Sequence, residues 1–365
     1  MRRWRSIVLY SLGAIIFLSV GLEICLRLTF ADPDYYWDYR FQFVSPRAFQ
    51  NRADGIWTYR PNTLIREVAV YATFKPFQSE PRFVVEYDCQ MKANNLGLLQ
   101  DNDINPGDEV TLIVGDSFTA GQGGCPWFPR LAARRSGELI VNAGQIGTGF
   151  AQWQRMLDYL VNQQLKIRRL LVVAISDDFN RPTWNWSEPV LACIDNNICN
   201  GADKPGWWLP VQSSDSETDL KLQAARRFSQ RIGNLTEYAA MRRYLRQQFY
   251  LVKFGSRATR RLMELVNLRK SSSVTFMTAN NASALESFKR LGIPFRVLLV
   301  PRRDETGLLS VNSTDAAAGA ALVSLDILHN WCPLATNDFF ANDGHPNRSG
   351  YDKLVACVDL ELGRM

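Results

Sequence analysis

The chain has 365 residues, is 46% hydrophobic and carries a net charge of +6 with seven cysteines and two histidines. That length fits one large α/β domain or two smaller ones, with enough apolar residue to bury a sizeable core. The charge is too small to argue for nucleic acid. The absence of paired C-x-x-C spacing or clustered histidines argues against a zinc site.

Arg2, Arg3 and Arg5 precede an apolar run from Ile7 to Leu22, which Ile24 and Cys25 continue past Glu23. As a helix, 7–25 would span roughly 28 Å, against about 30 Å for a bilayer core. The expectation is an N-terminal transmembrane helix that is not cleaved, with its tip in the cytoplasm and the body exported. Glu23 and Arg27, four apart, could pair at the interface. A cleaved signal peptide competes with this reading, but no A-x-A-like site follows the run. Leu22-Glu23-Ile24 before Cys25 lacks the small residue expected of a lipoprotein. The other six cysteines, Cys89, Cys125, Cys193, Cys199, Cys332 and Cys357, are compatible with disulfides in an exported body. Cys193 and Cys199 flank a turn-rich stretch that a bridge could close, and the sequence fixes no other pairing.

Residues 30–107 are rich in aromatics, Asn and Pro, with short strand-like runs at 68–71 and 83–87; they read as an irregular lead-in packed on the main domain. An α/β alternation starts at 108 and runs to 363. Strands are expected at 110–114, 139–142, 170–175 and 295–300. Helices are expected near 127–135, 151–164, 282–291 and 316–328, with a final one after Pro346. Such alternation predicts a parallel sheet with right-handed crossovers. An insertion over 180–275 interrupts it, too long for an ordinary loop. Its first part carries Trp184, Trp186, Trp207 and Trp208, which could stack on sugar rings or fill the insertion's own core. Its second part reads as basic helices. Residues 221–270 hold thirteen Lys and Arg against Glu237 and Glu264, which suits an anionic surface or is simply a solvated face.

Two motifs close the ends of the alternation. Gly115-Asp116-Ser117-Phe118 follows the first strand, where an open α/β sheet presents groups to ligand. Asn342-Asp343-Gly344-His345-Pro346 precedes the last helix. A serine needs a base, an orienting partner and oxyanion donors to act as a nucleophile. Ser117 supplies the hydroxyl, His345 the base and Asp343 the orienting partner. Taken singly, Ser117 is also a good helix N-cap and Asp343-Gly344 an ordinary turn. His329 sits at an expected helix end and reads as structural, and Asp338 is a weaker orienter. The Gly121–Gly124 loop lacks the Gly-Lys-Ser/Thr ending of a phosphate loop.

With these residues in place the chain resembles the SGNH, or GDSL-type, hydrolases over roughly residues 108–360. Gly115-Asp116-Ser117 matches the family's first block, Gly144 its second, and Asp343 with His345 its last. The resemblance implies a three-layer α/β/α sandwich of flavodoxin-like type. It also implies ester chemistry through a serine acyl-enzyme, no cofactor or metal, and oxyanion donors at the N–H groups of Ser117 and Gly144. Two departures stand out. The family's third block offers an Asn, whereas this chain has Ser176-Asp177-Asp178-Phe179-Asn180. If Asp177 takes that place its charge opposes an oxyanion, unless Asn180 or a protonated Asp177 substitutes. Asp343 also lies two residues before His345 where most members have three. The shorter spacing occurs in relatives that O-acetylate exported polysaccharides. The expected protein is therefore a single-pass bacterial inner-membrane enzyme with a periplasmic esterase or O-acetyltransferase domain. Its partners would be an acylated carbohydrate, the inner membrane through 7–25 and an anionic surface through 221–270. The alternative is a catalytically weak or inactive module that binds glycan or an envelope partner.

Overall fold

A computed structural model describes residues 2–29, 40–52, 56–73, 81–179, 181, 208–233, 249, 251–252, 279–303 and 331–365. The apolar N-terminal run is helical, with α1 spanning Arg2–Thr29. Its large apolar side chains are exposed, from Tyr10 (81%) through Phe17 (79%) to Ile24. Among the described residues no helix is long and apolar enough to cross a membrane. The spanning helix expected over 7–25 is thus met only as an exposed apolar helix. Glu23 accepts a hydrogen bond from the Leu251 N–H at 2.8 Å.

The lead-in is more regular than its sequence promised. It contributes β1 (Arg40–Val44), β2 (Phe49–Asn51), β3 (Trp57–Tyr59), β4 (Leu64–Thr73) and β5 (Arg82–Lys92). β2 and β3 pair antiparallel, with Phe49 opposite Tyr59. Rings of Phe49, Trp57 and Tyr59 cluster there at 5.0–5.8 Å, the usual spacing of cross-strand aromatic pairs. The other strands form a sheet of order β5-β4-β1-β9. Its last member, Trp208–Pro210, comes from the insertion and runs parallel to β1, with Gln42 opposite Trp208.

The second sheet is the expected parallel one. Its strands are β6 (Glu109–Gly115), β7 (Ile140–Gly144), β8 (Lys166–Ala174) and β10 (Phe295–Leu299), in the order β10-β8-β6-β7. Taken in their own sequence this is 2-1-3-4, the doubly wound pattern whose switch point falls between the first and third strands. Because side chains alternate across a strand, the apolar runs feed two cores. Leu112, Val114, Leu170 and Val172 pack with Phe150, Trp153 and Leu157 of α4 (Phe150–Asn162) and Phe288 of α6 (Ala279–Lys289). Ile113, Leu171 and Val173 pack on the other side with Phe128 and Leu131 of α3 (Phe128–Arg134) and Tyr351, Leu354 and Val358 of α7 (Arg348–Gly363). That makes three layers, α/β/α. β8 starts four residues earlier than its apolar run because Lys166 to Arg169 alternate outward. Arg169 there pairs with Glu138 and donates to the Leu362 carbonyl at 3.0 Å.

Two disulfides brace this part of the chain. Cys89–Cys125 joins β5 to the glycine loop, and Cys332–Cys357 joins the segment after β10 to α7, with Cα separations of 4.9 and 5.6 Å. Each is worth about 2–4 kcal/mol in a typical domain. By contact the chain divides into one unit of residues 1–39, 71–84 and 221–274 and another of 40–70, 85–220 and 275–365. The first holds α1 and most of the helix α5 (Glu217–Gly233), where Phe83 and Phe228 meet edge to face at 6.0 Å. The candidate Cys193–Cys199 bridge, Trp184, Trp186, Trp207, Asn180, His329, the helix expected at 316–328 and most of the basic stretch 234–270 lie outside the described residues. Of Trp208 only the backbone, in β9, is described.

Candidate active site

Ser117 sits at the carboxyl end of β6, beside the switch point. Asp116 caps the short helix α2 (Ser117–Ala120), its Oδ1 accepting the Phe118 N–H at 2.9 Å. Gly121 closes α2 in the left-handed region at φ 86°, and a Cβ there would also strike Trp127 at 2.4 Å. The motif glycines have a steric reason. A Cβ on Gly115 would lie 2.0 Å from Thr119 Oγ1, and one on Gly144 would lie 2.3 Å from the Ala120 nitrogen. Only bare backbone lets α2 rest on the tips of β6 and β7. Ser117 is thereby held at a strand tip and stays 94% covered, at 6% exposure.

The C-terminal motif folds into a loop whose ends meet. Phe339 bridges Pro346, and the Phe340 N–H donates to the His345 carbonyl at 3.1 Å. Glu86 of β5 accepts from the Asn342 backbone N–H at 2.9 Å and its side-chain amide at 2.6 Å. Asp343 Oδ1 accepts the His345 backbone N–H at 3.1 Å and faces ring Nδ1 at 2.5 Å. The two-residue spacing works because the Asp side chain curls forward onto its neighbour, as in an Asx turn. The other ring nitrogen, Nε2, lies 2.9 Å from Ser117 Oγ, with the Phe118 ring 5.5 Å from the imidazole. The three side chains thus form one continuous hydrogen-bonded relay, with Asp343 1% and His345 8% exposed. A proton on Nδ1 toward the carboxylate leaves Nε2 to accept from the serine hydroxyl.

The groups expected around an oxyanion are arranged differently. The Ser117 N–H is a first-turn helix amide, which has no intrahelical acceptor. The Gly144 N–H is engaged, donating to Asn142 Oδ1 at 3.1 Å. Asp177 does not sit as a buried carboxylate; its side chain is 52% exposed and pairs with Arg302 at 2.7 Å. The buried acid is its neighbour. Asp178 accepts the Ile175 N–H at 2.8 Å, and burial, then the charge of Asp116, pushes its carboxyl well above the ordinary range against the pull of Arg181. Arg181 bridges the two acids, 3.2 Å from Asp116 Oδ2 and 3.1 Å from Asp178 Oδ1. Asp116 Oδ2 is itself 3.3 Å from Ser117 Oγ. Asp338 is drawn off elsewhere, to Lys353, Ser349 and the Ala335 N–H.

Sequence reasoning passed over Arg181, Arg40, Tyr87 and Gln122. Arg181 left a trace, since the acidic pair 177–178 invites a cation three or four residues on. The others left none. Arg40, at the start of β1, places Nη2 3.6 Å from Asp343 Oδ2 and donates to the Tyr87 hydroxyl at 3.0 Å. Gln122 Nε2 donates to the same hydroxyl at 3.0 Å, and its carbonyl accepts from Tyr351 at 2.9 Å.

No protein-family model and no curated protein sequence matches the chain. Among solved structures it is similar to a member of the lipolytic G-D-S-L protein family from Veillonella parvula, at 13% identity and a TM-score of 0.33, over 70% of this chain and 100% of that one. It is also similar to a Bacillus subtilis protein at 12% identity and a TM-score of 0.28, over 92% and 96% of the two chains. Similarity this loose carries nothing about activity, so the chemistry rests on the chain's own residues.

Proposed function

We propose that this protein is a serine-dependent esterase or O-acyltransferase. The observation that carries the reading is the continuous Ser117–His345–Asp343 relay. Ser117 Oγ attacks the ester carbonyl carbon while its proton passes to His345 Nε2, and Asp343 stabilises the resulting imidazolium. The tetrahedral oxyanion is met by the first-turn amide of Ser117, at the N-terminal end of α2. Collapse breaks the ester C–O bond, and His345 returns the proton to the leaving alkoxide. Water, or a sugar hydroxyl in a transferase, then attacks the acyl-serine by the same route in reverse.

The substrate class, an O-acetyl group on an exported envelope polysaccharide, rests on the family resemblance and the two-residue Asp–His spacing. Attachment to an inner membrane rests on the basic N-terminus, the apolar run 7–25 and the exposed apolar side chains of α1. The catalytic body would then lie in the periplasm. A contact of 221–270 with an anionic surface rests on its charge alone, and glycan stacking by Trp184, Trp186, Trp207 and Trp208 on composition alone. A weak or non-catalytic binding module is the second reading, favoured by the engaged Gly144 N–H and the outward-turned Asp177.

The test is hydrolysis of p-nitrophenyl acetate and labelling by a fluorophosphonate, using the full chain in detergent. Wild type should turn over and label at Ser117, and Ser117→Ala should lose label and at least about 10³-fold in rate. A wild-type chain that neither hydrolyses nor labels, while Ser117→Ala still binds acetylated glycan, would favour the binding module.

A further inference from the structure

We infer that Arg40 is a positioning residue for the relay, a fixed cation set by the lead-in sheet against the one Asp343 oxygen that His345 does not use. The inference rests on the esterase reading above. Its geometry is specific. Asp343 Oδ1 is committed to the imidazole at 2.5 Å, and Oδ2 faces Arg40 Nη2 at 3.6 Å. The Arg40 side chain is 17% exposed and the Asp343 side chain 0%, so water screens the pair little. The same Nη2 donates to the Tyr87 hydroxyl at 3.0 Å. That hydroxyl is fixed in turn by Gln122 from the glycine loop, so the guanidinium's partner is tied to the loop that follows the serine.

A buried carboxylate that must stay charged while orienting a base is stabilised by an opposite charge close by. Arg40 provides that charge, and it also limits how strongly Asp343 favours a protonated imidazole. Among the described residues, Tyr87, Glu67, Asp116 and Tyr351 also face this cluster, and burial lifts the Tyr351 hydroxyl well above its ordinary range. Burial lifts the Tyr87 hydroxyl far above its ordinary range, with Arg40 opposing and Asp343 and Glu67 adding. Burial likewise raises Glu67, against Tyr59 and Arg40. Asp116 lies on the serine side, beside Oγ.

Removing the cation should therefore favour the protonated base. In Arg40→Gln the acid limb of the kcat/KM–pH profile is expected to move up by about half to one pH unit, which lowers kcat/KM on the acid side of the limb by about three- to tenfold. Arg40→Lys keeps the charge and should keep the limb within about 0.2 unit of wild type. A role confined to holding the fold would lower the amount of active protein without moving the limb. If Arg40→Gln does not fold, citrulline at position 40 keeps shape and N–H donors and removes only the charge, and the same upward shift is expected. A neutral residue at 40 that leaves the limb in place overturns the inference, and so does a Lys variant shifted as far as the Gln variant. Wild type lacking hydrolysis and fluorophosphonate labelling would instead sink the esterase reading itself.

Discussion

The two four-stranded sheets are built on opposite plans. The parallel sheet is assembled from contiguous apolar runs, each followed by its own covering helix, and it carries the serine at one strand tip. The lead-in sheet is short-stranded and aromatic, borrows β9 from far along the chain, and supplies Arg40, Glu86 and Tyr87 to the surroundings of the histidine loop. The difference teaches that the reactive groups and the groups that hold them come from different architectures. Under the esterase reading, damage to the first should remove chemistry or fold, and damage to the second should retune it.

The largest effect should come from the relay itself. Asp343→Asn keeps the shape and loses the charge, and kcat/KM on p-nitrophenyl acetate is expected to fall about 10⁴-fold; a loss under tenfold would show that His345 does not depend on its partner. Next is the helical cover of the parallel sheet. Trp153 is fully buried, its ring tilted against Phe150 with centroids 4.8 Å apart, and its indole N–H donates to Thr148 Oγ1 at 2.8 Å. Trp153→Ala should cost about 3–5 kcal/mol in urea unfolding, and a cost below about 1 kcal/mol would mean that layer is not a packed core.

The lead-in sheet should answer to pH. Glu67 of β4 is wholly buried, accepts from the Tyr59 hydroxyl at 3.1 Å, and has its carboxyl raised from 4.5 to about 7, chiefly by burial. The folded chain therefore keeps a proton there that the unfolded chain releases earlier. That contribution to stability is complete below about pH 4.5 and is lost as pH rises through about 7. Glu67→Gln should unfold like wild type near pH 4 and be more stable at pH 8, by up to about 3 kcal/mol. Parallel stability curves for the two proteins across that range would rule this out. The smallest effect is expected at Asp177, half-exposed and paired with Arg302. Asp177→Asn should leave kcat/KM within about twofold, in line with the modest worth of exposed ion pairs; a collapse would put that carboxylate back in the site.

Most of the parallel sheet could be read from the chain, because buried parallel strands write themselves as apolar runs and covering helices as 3.6-residue periodicity. The four strands and the helices α3, α4, α6 and α7 fall within a few residues of expectation. The candidate serine and histidine were legible for the same reason, each sitting at the end of a readable element. The lead-in sheet was not. Asn94, Pro81 and the turn at Asn62 break its strands, buried Glu67 disguises β4 as a surface segment, and nothing local in Trp208–Pro210 announces a partner at Gln42. Arg40 and Tyr87 were illegible because their meaning is a distance to Asp343, and the chain gives no hint of it. Which acid turns inward was not legible: Asp177 and Asp178 are adjacent in sequence, but only the second is buried.

The Cys89–Cys125 bond lends this layout a temporal dimension. It ties the strand that carries Glu86 and Tyr87 to the loop that carries Gln122. In a chain kept among thiols that tie is absent, and the loop is held to β5 by the Gln122–Tyr87 hydrogen bond and packing alone. Under the esterase reading, activity should rise when oxidant is added to reduced protein, so maturation would be set by the chemistry of the compartment as well as by the arrival of substrate.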